Sequence, residues 1–149
     1  MSLYFKYDDI FYFCKMKIYL DFDGTVVEHQ YPNIGVYNEG CFEVIQKLQK
    51  AGHRIILNTY RANLKDGTLQ AAITYLNFWA LENDLIVIEE FERIKLEPHP
   101  WDWNYFKTND LIYIDDICEG IPLRPAKEAE YPMVDWKKLD KEFEEKGIY

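Results

Sequence analysis

Two kinds of apolar run alternate along this chain. Ile18-Tyr19-Leu20, Ile55-Ile56-Leu57 and Leu111-Ile112-Tyr113-Ile114 are short, continuous and bounded by polar or turn residues. Runs of that length predict strands buried on both faces, over Lys17–Asp21, His53–Asn58 and Asp110–Asp115. A further strand is predicted over Leu85–Glu89. Between them the apolar spacing lengthens to three and four. Phe42, Ile45 and Leu48 predict a helix over Glu39–Lys50, stopped by Ala51-Gly52. Leu69, Ala72, Ile73 and Leu76 predict a second over Asp66–Ala80, with Asp66 as its cap. Trp136, Leu139 and Phe143 place one face of an amphipathic helix over Asp135–Lys146. Strands separated by helices imply right-handed βαβ units, hence an α/β fold with a mainly parallel central sheet.

Composition narrows the class. At 149 residues the chain reads as one domain over residues 16–149, and 48% hydrophobic with 17% aromatic residues excludes wholesale disorder. A formal charge of -9 disfavours duplex nucleic acid, whose binding depends on neutralising phosphates. A small phosphorylated substrate stays compatible, because one metal ion inverts the local field. Cys14, Cys41 and Cys118 are odd in number and lack metal-ligand spacing, which suits free thiols in a reducing cytoplasm. No run reaches the roughly 18–20 apolar residues of a membrane span. Met1–Lys15 lack the order of a secretory signal and read as an appendage: an extra edge strand, an upstream start or non-native residues.

Polar residues gather where the predicted strands end. The first ends in Asp21 and Asp23, the second in Asn58-Thr59-Tyr60-Arg61, and the last in Asp115-Asp116, with Lys107 shortly before it. Ligands of open parallel sheets bind beyond these carboxyl ends. Alternate residues of an extended segment face the same way, so Asp21 and Asp23 can present their carboxylates together. Close carboxylates repel, and a divalent oxygen-seeking cation such as Mg²⁺ between them relieves this. Singly, each group has an ordinary explanation as a strand terminator, helix cap or solvated charge. Three strand ends with matched chemistry make a site.

At these residues the chain resembles the haloacid dehalogenase-like superfamily of phosphotransferases, from Lys17 to about Pro125. Asp21-Phe22-Asp23-Gly24-Thr25-Val26 matches its D-x-D-G-T-[LV] motif, Ile55-Ile56-Leu57-Asn58-Thr59 its strand ending in Thr, and Ile112-Tyr113-Ile114-Asp115-Asp116 its strand ending in paired Asp. The third motif is one basic residue, with Lys107 the best match and Lys95 its rival.

The resemblance implies a Rossmann-like three-layer sandwich and a Mg²⁺-dependent phosphomonoester hydrolase. Asp21 is then the nucleophile, forming an aspartyl-phosphate, and Asp23 the acid and base. Asp21, the Asp23 backbone carbonyl and Asp115 would hold the metal. Asp116 would either bind it through water or orient Lys107. Thr59 would donate to a phosphoryl oxygen beside Asn58, and Lys107 would offset charge. Gly24 would permit an unwound helical turn followed by a flap over Val26–Asn38, carrying Glu28, His29 and Tyr31. Arg61 is a candidate for a substrate anion, while Trp101 and Trp103 suit packing better than a pocket. Neither gap between motifs has room for a cap domain, so an open site is expected, suited to a large substrate or closed by a second copy of the chain. Nucleotidase or polynucleotide-end phosphatase activity is the alternative use of such a site. A non-catalytic binding or regulatory module is the alternative of another class, though it would have no physical need of the whole residue set. A dehalogenase is disfavoured by the three acids.

Overall fold

The computed structural model describes residues 6–7, 9–11, 15–82 and 100–149; the predicted strand Leu85–Glu89 and Lys95 lie outside them. Strands β1 (Lys6–Tyr7) and β2 (Asp9–Phe11) form an antiparallel pair in a sheet of their own. The main sheet begins at β3 (Lys17–Leu20), where Lys17 is exposed and Ile18, Tyr19 and Leu20 are buried. Helix α1 (Cys41–Lys50) then buries Cys41, Val44, Ile45 and Leu48, the i, i+3, i+4, i+7 stripe of a helix on a core. Gly40, with φ +94°, precedes it without a side-chain cap.

Strand β4 (Arg54–Leu57) follows, then two helices, α2 (Arg61–Leu64) and α3 (Thr68–Glu82). Asp66 does tie the start of α3, accepting the Thr68 backbone N–H at 3.0 Å. Helix α4 (Trp103–Asn109) is capped by Asp102 and leads directly into β5 (Leu111–Ile114). A short antiparallel pair, β6 (Leu123–Arg124) and β7 (Met133–Val134), precedes the closing helix α5 (Trp136–Glu145). The mixed α/β architecture is as expected. No helix among the described residues is long and apolar enough to cross a membrane.

The sheet order is β4-β3-β5, all parallel, with Leu20 level with Leu57 on one side and Ile114 on the other. β3 is therefore central, which is why its apolar run is continuous rather than alternating. The chain leaves β3 to one side through α1 and returns to the other side at β5. A crevice opens at the carboxyl ends where such connections part. Asp21, Asn58 and Asp115 each immediately follow a strand, and their amides or neighbours continue the ladder: Asp21 N–H donates to Ile114 O at 3.0 Å and Asn58 N–H to Leu20 O at 2.8 Å.

Candidate active site

Helical turn and flap are both present. After Asp23 the backbone N–H of Val26 donates to Phe22 O at 2.9 Å, closing one turn. Glu28 N–H to Val36 O (2.8 Å) and Asn38 N–H to Val26 O (2.9 Å) then zip the flap. Gly24 sits at φ +83°, where L side chains are strained. Space matters as much: a Cβ there would collide with His29 Nε2 and Asp116 Oδ2. Gly24 makes room for those two groups to meet.

The expected residues converge on one cavity of about 290 Å³, lined by Asp21, Asp23, Asn58, Thr59, Arg61, Asp115 and Asp116, with His29 and Tyr31 from the flap. Carboxylate oxygens of Asp21, Asp115 and Asp116 lie within 4.8 Å of one another. Burial, then the negative charges of Asp115 and Asp116, push the Asp21 pKa well above the usual carboxylate value. The Thr25 hydroxyl, donating to Asp21 Oδ2 at 3.0 Å, and a backbone bond at Phe22 oppose this only in part. Asp115 is 6% exposed, and its Oδ1 accepts the Ile117 N–H at 3.1 Å.

Asp23 stands outside that cluster by its carboxylate. Arg61 grips it: Nε donates to Oδ2 and Nη2 to Oδ1, both at 2.7 Å. Arg61 is 1% exposed, and it also donates to the carbonyls of Asn33 in the flap (2.8 Å) and Thr68 at the start of α3 (3.2 Å). Its guanidinium carbon lies 5.1 Å from the Phe22 ring centre and 5.2 Å from that of Tyr31. The fork that was expected to meet a substrate anion is here committed to a carboxylate and two carbonyls.

Asp116, one of the clustered carboxylates, has a partner from the flap. Its Oδ2 pairs with His29 Nε2 at 2.7 Å. That hydrogen bond raises the His29 pKa above its usual value; burial opposes the shift, and the charges of Asp116, Asp23 and Asp115 add to it. Asp116 does not orient Lys107, because Lys107 is exposed and bonds Lys146 O at 3.3 Å. The reason is directional. Lys107 belongs to the last turn of α4, which hands the chain to the start of β5, where Asp110 O accepts Lys17 N–H at 3.1 Å. Lys107 is thus at the amino edge of the sheet and the site at the carboxyl edge.

Thr59 is buried, and its Oγ1 accepts the Arg61 N–H at 3.2 Å, leaving the hydroxyl proton free to be donated. Glu28 does not line the cavity. It is fully buried and accepts three backbone N–H groups, from Lys127 (2.7 Å), Glu128 (2.9 Å) and Ala129 (3.0 Å). Burial alone would raise its pKa, but these bonds and Lys127 outweigh it and hold Glu28 below the usual value. Trp101 and Trp103 pack as expected, both indoles donating to Glu142 Oε1 at 2.7 and 2.6 Å. Cys118 is pushed up to about 12 by burial and the neighbouring carboxylates, which disfavours its thiolate.

The residues that sequence reasoning missed are the pairings. Nothing in the spacing joins Arg61 to Asp23 or His29 to Asp116. The signals that existed were Arg61 two positions after Thr59 and His29 in a flap facing the acids.

A solved structure, described as that of a conserved protein coded by a locus of Bacteroides thetaiotaomicron, is similar to this chain. The two share 28% identity over 88% of this chain and 91% of that one, with a TM-score of 0.54. No family model matches the chain. A comparison with curated proteins gives no match.

Proposed function

We propose that this protein is a Mg²⁺-dependent phosphomonoester hydrolase that works through an aspartyl-phosphate on Asp21, in a capless, Rossmann-like three-layer domain of the haloacid dehalogenase-like type. The observation that carries the reading is the meeting of Asp21, Thr59, Asp115 and Asp116, from three separate strand ends, in one cavity. The donor set fits the metal: three carboxylates close together are hard oxygen ligands, and the mutual repulsion that adds to burial in raising the Asp21 pKa is what a divalent cation relieves. Bound by Asp21, Asp115 and Asp116, Mg²⁺ would neutralise phosphate charge and let an anionic nucleophile approach.

The protein's own groups do the rest. Asp21 Oδ bonds to phosphorus as the bond to the leaving oxygen breaks, and Asp23, entering this step as the carboxylic acid, gives that oxygen its proton and becomes the carboxylate. Water then attacks phosphorus, Asp23 takes its proton, and the bond to Asp21 breaks to release phosphate. Arg61 fixes the Asp23 carboxylate during both transfers; each oxygen keeps a second lone pair for the proton. Thr59 donates its hydroxyl to a phosphoryl oxygen. Thr25 holds Asp21 Oδ2, which orients the other oxygen for attack.

Purified protein with Mg²⁺ is expected to hydrolyse 4-nitrophenyl phosphate, with EDTA abolishing turnover and Asp21→Asn removing it in a folded protein. Absence of turnover on a broad panel of phosphate esters would overturn the proposal in favour of a binding module.

A further inference from the structure

The cavity has a chemically divided lining. Its floor is buried and polar: Asn58 and Thr59 are each 3% exposed, beside the carboxylates. Among the described residues its rim is largely apolar and open to solvent: Tyr31, Tyr60, Leu64 and Ile117 are 44%, 64%, 47% and 46% exposed. They come from three segments: the flap, the β4–α2 region and the loop after β5. Single exposed apolar side chains are ordinary; four around one mouth are not. The charged groups described at this mouth are already committed, Arg61 to Asp23 and two carbonyls and His29 to Asp116. The rim therefore offers rings and aliphatic carbon to whatever projects from a phosphate on the floor. At about 290 Å³ the cavity lies at the lower edge of the ~300–1,000 Å³ range of small-ligand sites.

Building on the phosphohydrolase reading, we infer that the rim is a leaving-group subsite and that the substrates are small phosphomonoesters with a flat, uncharged, largely apolar body next to the phosphate. Aryl phosphates meet that description; sugar phosphates, nucleotides and polynucleotide ends do not. Tyr31 and Tyr60 supply rings, while Leu64 and Ile117 supply aliphatic edges.

Binding of phosphonates separates recognition from leaving-group reactivity, because their P–C bond is not cleaved. With Mg²⁺ present, calorimetry should find phenylphosphonate binding about tenfold more tightly than methylphosphonate, the gain expected from burying one ring face. Tyr60→Ala and Leu64→Ser should each cut that ratio to about threefold or less and leave methylphosphonate binding unchanged. Equal affinities in the parent protein, or a ratio that survives both substitutions, overturn the subsite. EDTA-sensitive turnover together with equal affinities overturns the subsite alone. Phenylphosphonate selectivity without turnover of any ester keeps the subsite and removes the hydrolase reading. Binding of neither phosphonate, with no turnover, overturns both.

Discussion

Replacing Asp21 by Asn is expected to abolish turnover and, without metal, to make the protein more stable. Asp21 is held in a buried cluster whose carboxylate oxygens lie within 4.8 Å. One pair of unit charges at that separation repels by ~3.5 kcal/mol at an effective dielectric near 20. The folded protein relieves part of this by drawing the Asp21 pKa upward, the direction that burial and the charges of Asp115 and Asp116 both impose. Asparagine is nearly isosteric, carries no charge, and can still accept from Thr25. A gain of about 2 kcal/mol is therefore expected, which over 149 residues is roughly a 6 °C rise in Tm. The pH dependence follows from the upward direction of the shift. A carboxyl whose folded pKa exceeds its unfolded value opposes folding at high pH and stops doing so as pH falls through the folded pKa toward about 3.9. The advantage of the Asn variant should thus be larger at pH 8 than at pH 5, shrinking as the solution is acidified. Mg²⁺ should stabilise the parent more than the variant. Scanning calorimetry in EDTA from pH 5 to 8 measures all of this. A variant that melts at or below the parent at pH 8 would refute the electrostatic account of the cluster.

Arg61→Met leaves the Asp23 carboxylate and two carbonyls without their donor, so urea unfolding should show a loss of about 3–5 kcal/mol; a loss under about 1 kcal/mol would mean the fork is not structural. Adding Asp23→Ala to that variant should recover part of the loss, and strict additivity would deny the coupling. Gly24→Ala combines a positive φ with a collision against His29 and Asp116, and should lower both Tm and turnover; an unchanged Tm would show that the His29–Asp116 contact is dispensable. Lys107→Ala should leave turnover unchanged and stability within ~0.5 kcal/mol, and loss of turnover would return Lys107 to the site.

The strands of the sheet were legible because a central parallel strand must be apolar on both faces, and Ile18-Tyr19-Leu20 has no other use. Asp21, Thr59 and Asp115 were legible for a related reason: a residue just past such a strand lies at the carboxyl edge whatever the helices do. Lys107 was misjudged because position before a strand says nothing about which end of the preceding helix faces the site. Helices α2 and α4 were not foreseen, at four and seven residues each, since one or two turns set up no readable period. The pairing of Arg61 with Asp23 was not legible, because the two are 38 positions apart and the chain gives no sign of it.

Glu28 draws its three donors from residues 99 to 101 positions further on. Thr25 O likewise receives the Trp136 indole N–H from 111 positions away, at 2.8 Å. The start of the flap is thus fastened by residues about a hundred positions downstream. On a ribosome the motif that carries Asp21 would emerge first, its flap unanchored until the segment from Lys127 to Trp136 followed. The pocket's flap is therefore anchored by contacts that close loops of about a hundred residues.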